Sequence, residues 1–438
     1  MKAHRVFFVF GFLSLVQGIA LAAPVEINEK DVLFGYEATF QTQELADKDG
    51  SYSFRTPTKA KLLDRFLREF ITGEMRDAYV ARDFSNFDFK PGVDFELPAW
   101  KDSAKLTLEP GCIEWNMSAL PLSKLADRWK PVYDSADRAG LVPAAYQGGT
   151  LGGGGHIHVG GRTRELNPWM RSPTLLRNVL VLFHNHPSLI MGFAEAYDFG
   201  PRSVSIRSYH SEERQKLFEE AIAVFDAWVV NANARERAQA APYLVDLLSK
   251  QGLIDHDNFI NLENFRDRMR DPRSNDKFTV EFRNIRPLPS AEHVRSVSKL
   301  LFRILQKYSD TEYLEHFNRI SREEYLNSFF GPIAIESDWE EVKRELGVSD
   351  GRLDSLVYEL TRNPNLRSSR RGSLRVREAY SDLVKMGEYE EILKPLSARS
   401  PETRESDARQ IAYRGKAYRA ELLRYKGKPY LGAVVPRR

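Results

Sequence analysis

Four short stretches of this chain alternate polar and apolar residues with a period of two, the spacing at which a β-strand sends residues i and i+2 to one face. In GYEATF, residues 35–40, Glu37 and Thr39 face one way and Tyr36, Ala38 and Phe40 the other. In GCIEWNMS, 111–118, Glu114 and Asn116 oppose Ile113, Trp115 and Met117. His156 and His158 share a face of GGGGHIHVG, 152–160, against Ile157 and Val159. In KFTVEFRNIR, 277–286, Lys277, Thr279, Glu281 and Arg283 oppose Phe278, Val280 and Phe282. The apolar sets predict a core on one side of a sheet, with Tyr36 and Trp115 packed in it. The other side offers carboxylates, paired imidazoles and a guanidinium, where an ordinary wet face would carry Lys, Thr and Ser.

Elsewhere the apolar period lengthens to that of a helix. Leu62, Leu63, Phe66, Leu67, Phe70 and Ile71 predict an amphipathic helix over 58–81. Further helices are predicted over 120–139, with Pro121 in the first turn, and over 175–196, interrupted near His186-Pro187. Residues 211–250 read as one long helical stretch or as two helices broken near Pro242, and 290–308 as one helix, striped by Val294, Val297, Leu300, Leu301 and Ile304. Beyond 330 short helices and Arg-rich connectors follow, and Ser337 with Glu340 has the spacing of a capping box. Strands alternating with single-stripe helices predict an α+β fold with a mostly antiparallel sheet and helices packed on one face. His184 and His186, outside the strand pattern, read as structural, and the segment with Arg202, Arg207 and His210 as a surface turn or a closure over an anion.

The length of 438 residues predicts one large domain over 23–330 and an appendage over 331–438. Near-balance of 64 basic and 61 acidic residues argues against a dedicated nucleic-acid binder, although 361–438 holds 19 Lys or Arg against 9 Asp or Glu. That appendage is expected to be a basic helical extension. Lys2, His4 and Arg5, an apolar run over 6–19 and Ala20-Leu21-Ala22 have the form of a secretory signal, residues 1–22, so the chain is expected to be exported, periplasmic or secreted. No later apolar run reaches membrane-spanning length. Cys112, the one cysteine, is expected to be a buried strand residue.

If the polar faces converge, Glu37, Glu114 and Glu281 suit a hard divalent ion such as Mg²⁺ or Mn²⁺, which takes oxygen ligands and keeps waters. His156 or His158 would add a nitrogen or orient a substrate, and two His beside a carboxylate would equally suit Zn²⁺. Gly154 and Gly155 allow close backbone approach to a phosphate, or simply a bend. Arg283 and Arg286 can fork onto carboxylate or phosphoryl oxygens.

Together, FGYEATF at 34–40, CIEWNMSALP at 112–121, GGHIHVGG at 154–161 and FTVEFRNIRP at 278–287 resemble the carboxylate–amine ligase superfamily related to glutamine synthetase, above all its amidoligase branch. The likeness covers roughly 31–310. It implies a glutamine synthetase-like catalytic fold, a curved antiparallel sheet holding ATP and Mg²⁺, in which an acyl phosphate is displaced by an amine. It further implies metal-binding positions at Glu37, Glu114 and Glu281, a metal or nucleotide position on the His156–His158 strand, and a transition-state clamp at Arg283. Thr39 departs from the family's acid-x-acid opening. Export is the second departure, since little ATP lies outside the cytoplasmic membrane. Three functions therefore stand open: an ATP-dependent ligase joining a carboxylate and an amine on small molecules or peptides; an exported, ATP-independent metal enzyme acting on amide bonds of cell-wall (peptidoglycan-derived) peptides; and a non-catalytic binding protein on the same scaffold.

Overall fold

The computed structural model describes residues 25–42, 69, 79–83, 92–109, 112–143, 155–193, 212–254, 258–271, 278–283, 285–319, 332–362, 409–413, 416–425 and 428–436. The signal-like residues 1–22, Gly154 and the 194–211 segment with Arg202, Arg207 and His210 lie outside them.

Among the described residues nine strands form one sheet: β1 Val32–Thr42, β2 Tyr79–Asp83, β3 Gly92–Leu97, β4 Asp102–Glu109, β5 Cys112–Met117, β6 Leu141–Pro143, β7 Ile157–Gly161, β8 Ile260–Asn261 and β9 Val280–Phe282. Their order is β2-β3-β4-β5-β1-β7-β9-β8, with β6 also on β1, and every pairing is antiparallel. Among the described residues the helices are α1 Leu122–Arg138, α2 Leu175–Asn185, α3 Glu212–Asn231, α4 Ala240–Lys250, α5 Glu263–Arg270, α6 Ala291–Tyr308, α7 Pro332–Leu346 and α8 Gly351–Arg362, besides four single turns. Among the described residues no helix is long and apolar enough to cross a membrane.

The period-two reading explains which side is covered. Tyr36 meets Trp129 of α1 edge-on at 5.0 Å, and Phe40 meets Tyr133 of α1 at 5.4 Å. Phe282 lies 5.4 Å from Phe183 of α2. Trp115 stacks on Phe95 of β3. Helices α1 and α2 thus lie on the aromatic face, which leaves the acids and imidazoles to the opposite one. The Tyr36 hydroxyl accepts from the Leu288 N–H at 2.9 Å, and the Tyr133 hydroxyl donates to the Leu288 carbonyl at 2.7 Å. This tie fixes the chain leaving β9 against β1 and α1. Cys112 is buried in β5 as expected.

Several elements depart from expectation. Over 58–81 the described residues are a helical Glu69 and the start of strand β2 at Tyr79, so the predicted helix does not reach 81. The break in 211–250 falls between Asn231 and Ala240, and Pro242 stands in the first turn of α4, where its missing N–H costs nothing. Helix α7 begins at Pro332, which leaves Ser337 inside it rather than at a cap. Residues 409–436 hold a three-stranded antiparallel sheet, β10 Arg409–Tyr413, β11 Lys416–Tyr425 and β12 Lys428–Pro436, where helix was expected. Trp339, Val342, Leu353, Leu356 and Val357 of α7 and α8 belong to the same hydrophobic core as the sheet. These two helices are part of the main body, not an appendage.

Candidate functional site

Antiparallel register puts the polar side chains in one row. Glu37 stands opposite Asn116 on β5, and its N–H bonds the His156 carbonyl at 3.0 Å. His158 stands opposite Glu281, and Glu281 opposite Asn261 on β8. Residues opposite one another share a sheet face, so five neighbouring strands deliver their polar groups together.

The contacts are direct. Nδ1 of His156 lies 3.0 Å from Oε2 of Glu37 and 3.2 Å from Oε1 of Glu281. Nε2 of His158 lies 3.0 Å from Oε1 of Glu37 and 3.8 Å from Oε1 of Glu281. Arg283 donates from Nη1 to Glu281 Oε1 at 2.8 Å. Asn261 donates from Nδ2 to Glu281 Oε2 at 2.8 Å. The Glu281 side chain is 5% exposed, whereas those of Glu37 and His158 keep 25% and 21%, so the cluster opens at its Glu37–His158 side.

Its electrostatics are those of two carboxylates needing positive charge between them. Burial by itself raises the Glu37 carboxyl, but hydrogen bonds from His156 and His158 and their charge outweigh it and hold the group well below 4.5. Burial is likewise outweighed at Glu281, where His156, His158 and Arg283 bring the carboxyl down to about 2. Burial and the neighbouring Arg283 disfavour imidazolium at His156, yet Glu281 and Glu37 together lift it to about 9. His158 is raised above 6.5 against burial, chiefly by Glu37.

A divalent cation could replace those imidazole protons. One ligand atom each from Glu37, His158 and Glu281 lies within 4.8 Å of the others. The 3.0 Å between His158 Nε2 and Glu37 Oε1 is the edge expected between adjacent ligands of an octahedron with bonds of about 2.1 Å. Two carboxylate oxygens and one imidazole nitrogen suit Mg²⁺ or Mn²⁺, and the same set satisfies the three-ligand pattern of a catalytic Zn²⁺. The residues present fit such an ion.

Three expected members stand apart. Glu114 shares the face but pairs with Thr39, two residues along β1 from Glu37, and its Oε1 accepts from Asn116 at 2.7 Å. It is not in the close group of Glu37, His158 and Glu281. Arg286 is buried and donates to the Leu356 carbonyl of α8 at 3.0 Å. It anchors a helix, because the chain beyond Arg283 leaves the strand and its alternation ends. Gly155 donates its N–H to the Ile285 carbonyl, and a Cβ there would fall 2.2 Å from the Arg286 carbonyl oxygen. Its lack of a side chain admits this close backbone approach. His184, stacked on Phe317 at 4.6 Å, and His186, 3.1 Å from buried Asp338, are structural, as their spacing suggested. Asn261 was not foreseen: β8 is two residues long, too short for any alternation to show.

Among solved structures, one titled "Apo GmaS without ligand" is similar at 14% identity and a TM-score of 0.33, over 78% of this chain and 70% of that one. No curated protein matches. A family model described as "Putative amidoligase enzyme (DUF2126)" matches residues 94–393, more than half of the chain, and includes His156, His158, Glu281 and Arg283 while beginning after Glu37. The match also runs through α7 and α8, in keeping with their place in the core. The chain belongs to this amidoligase family.

Proposed function

We propose that this protein is an ATP-dependent carboxylate–amine ligase with one divalent ion, Mg²⁺ or Mn²⁺, held by Glu37, His158 and Glu281. The observation that carries the reading is the convergence of these three donors beside the Arg283 guanidinium, in a chain of the amidoligase family. A glutamine synthetase-like catalytic fold follows as part of the same proposal. When bound, the ion would neutralise phosphate oxygens and fix their orientation.

The chain's own residues would act by position and charge. A substrate carboxylate oxygen attacks the γ-phosphorus of ATP, the bond to the ADP oxygen breaks, and an acyl phosphate forms. An amine nitrogen then attacks the acyl carbon, and phosphate departs with the bonding electrons while the amine gives up its proton. Arg283, bound through one nitrogen to Glu281, has a planar fork suited to the equatorial phosphoryl oxygens. His156, held between the carboxylates, keeps them together without needing to touch the ion.

Purified full-length protein supplied with Mg-ATP, a panel of carboxylates and a panel of amines tests this. Phosphate release that requires both partners is expected, with a loss of at least about 100-fold in Glu37→Gln. Folded protein that binds no nucleotide would overturn it. A second reading draws support from the mixed nitrogen and oxygen donors and the signal-like residues 1–22: an exported Zn²⁺ enzyme cleaving amide bonds of wall peptides. Amide cleavage by Zn²⁺-loaded protein without ATP would favour it.

A further inference from the structure

We infer that Asn261 is a positioning residue of the ion site: its amide engages one oxygen of Glu281 and thereby makes that carboxylate a one-oxygen ligand aimed at His158 and Glu37. The inference rests on the ion site just proposed and adds a residue outside the four polar strand motifs of the sequence.

The two oxygens of Glu281 are divided between two sides. Oε1 faces the cluster, with Arg283 Nη1 at 2.8 Å, His156 Nδ1 at 3.2 Å and His158 Nε2 at 3.8 Å. Oε2 receives the Asn261 amide at 2.8 Å. Which end of that amide donates is fixed by the other end, since Asn261 Oδ1 accepts the Glu263 N–H at 2.8 Å at the start of α5. A backbone N–H can meet only an oxygen, so the NH₂ group must face Glu281. Asn261 itself is 2% exposed and stands directly opposite Glu281 across β8 and β9. A buried amide held at both ends cannot rotate away.

The consequence concerns coordination. A carboxylate with both oxygens available can bind an ion through two of them, filling positions a substrate oxygen or water needs. With Oε2 committed, Glu281 fills one position, and the three protein donors leave an octahedral ion open to substrate. Outer partners of this kind set metal affinity by about 10- to 100-fold.

Asn261→Asp separates the two jobs of the side chain. Its Oδ1 still accepts from the Glu263 N–H, so that bond at the start of α5 survives, while the donor to Glu281 becomes a second oxygen. Asn261→Ser removes the donor to Glu281 without adding charge. Mn²⁺ binding to the full chain, followed by the paramagnetic signal of the free ion, should weaken at least about 10-fold in Asn261→Asp and less in Asn261→Ser. The thermal midpoint without the ion controls for folding. Affinity within twofold of wild type in a folded variant would overturn the inference and leave the ion site standing. No Mn²⁺ binding by wild type would remove both. Crystals of the wild-type protein soaked in Mn²⁺ decide the matter even if both variants unfold. Mn²⁺ on Oε1, with Oε2 still at Asn261, is expected. An ion held by both oxygens, or by Oε2, would overturn the inference.

Discussion

At the scale of single residues, the site is a set of protons standing where a cation fits. His158 is raised above its ordinary 6.5, chiefly by Glu37, so without the ion it holds its proton to higher pH than a free imidazole, and ligation must expel that proton. Divalent affinity is therefore expected to fall as pH drops below the raised value, by up to about tenfold per unit for one displaced proton. Calorimetry of Mn²⁺ binding in two buffers of different ionisation enthalpy should register that proton, and binding without release would contradict the assignment of His158 as a ligand. Glu37→Gln keeps the shape of the side chain and removes its charge, so it should weaken Mn²⁺ by at least about 10-fold in the same titration. The four members of the cluster were legible in the sequence because period two is strict where a strand is half covered: Glu37, His156, His158 and Glu281 each alternate with core residues. Glu114 obeys the same period, but period says nothing of distance along the strand, and register with Thr39 takes it away from the group of Glu37, His158 and Glu281. The contacts of Arg286 and Gly155 were illegible for a related reason. Their roles are set by contacts with Leu356 and with the 285–286 backbone, which no local pattern announces.

At the scale of elements, the aromatic face of the sheet carries the stability and the polar face is built upon it. Tyr36 joins β1 to the chain after β9 through Leu288, one residue from Glu37 on the strand. Tyr36→Phe leaves the Leu288 N–H buried without its acceptor and should cost about 1–3 kcal/mol, read as a lower denaturant midpoint at unchanged slope. Helix α2 supplies a pH response of its own. Burial, only partly opposed by a hydrogen bond to the Asn318 backbone, lowers His184 from 6.5 to about 3. The unfolded chain takes up this proton first as pH falls, so stability is whole above about 6.5 and declines toward 3, by at most about 1.4 kcal/mol per pH unit. The carboxylates of the site lose their contribution at lower pH, since Glu281 titrates from 4.5 unfolded to about 2 folded. The site histidines, raised by the fold, change stability in the opposite sense near 6.5, so the His184 contribution is read as the difference between wild type and variant from pH 6.5 to 5. His184→Leu should flatten the stability profile across that interval, and an unchanged slope would assign the response elsewhere. Helix positions followed from the 3.6 period, while their ends did not. Pro242 and Ser337 are compatible with a first turn or a cap, and tertiary packing decided between those places.

At the scale of the whole molecule, the question is where the functional body ends. Charge and the run of Arg-rich connectors suggested an end near 330, because composition reports surface and not core. The core itself continues: Trp339 is fully buried, meets Phe193 edge-on at 5.5 Å and donates through Nε1 to Asp354 of α8. Asp338 beside it accepts from the Ser188 N–H and from His186, which joins α7 to the end of α2. Arg286, four residues past the end of β9, reaches α8 through Leu356 and so couples these helices to the segment that bears Glu281 and Arg283. If 332–362 were an independent extension, its loss would leave the sheet intact and unfolding would show two steps. As part of one core it should unfold with the sheet in a single transition. Trp339→Ala, expected to cost about 3–5 kcal/mol, tests this directly. The variant should lower one shared midpoint whether followed by tryptophan fluorescence or by far-ultraviolet circular dichroism, and should weaken Mn²⁺ binding in step with the unfolded fraction. A variant that loses one early transition while the ion site binds as before would show that the body closes before α7.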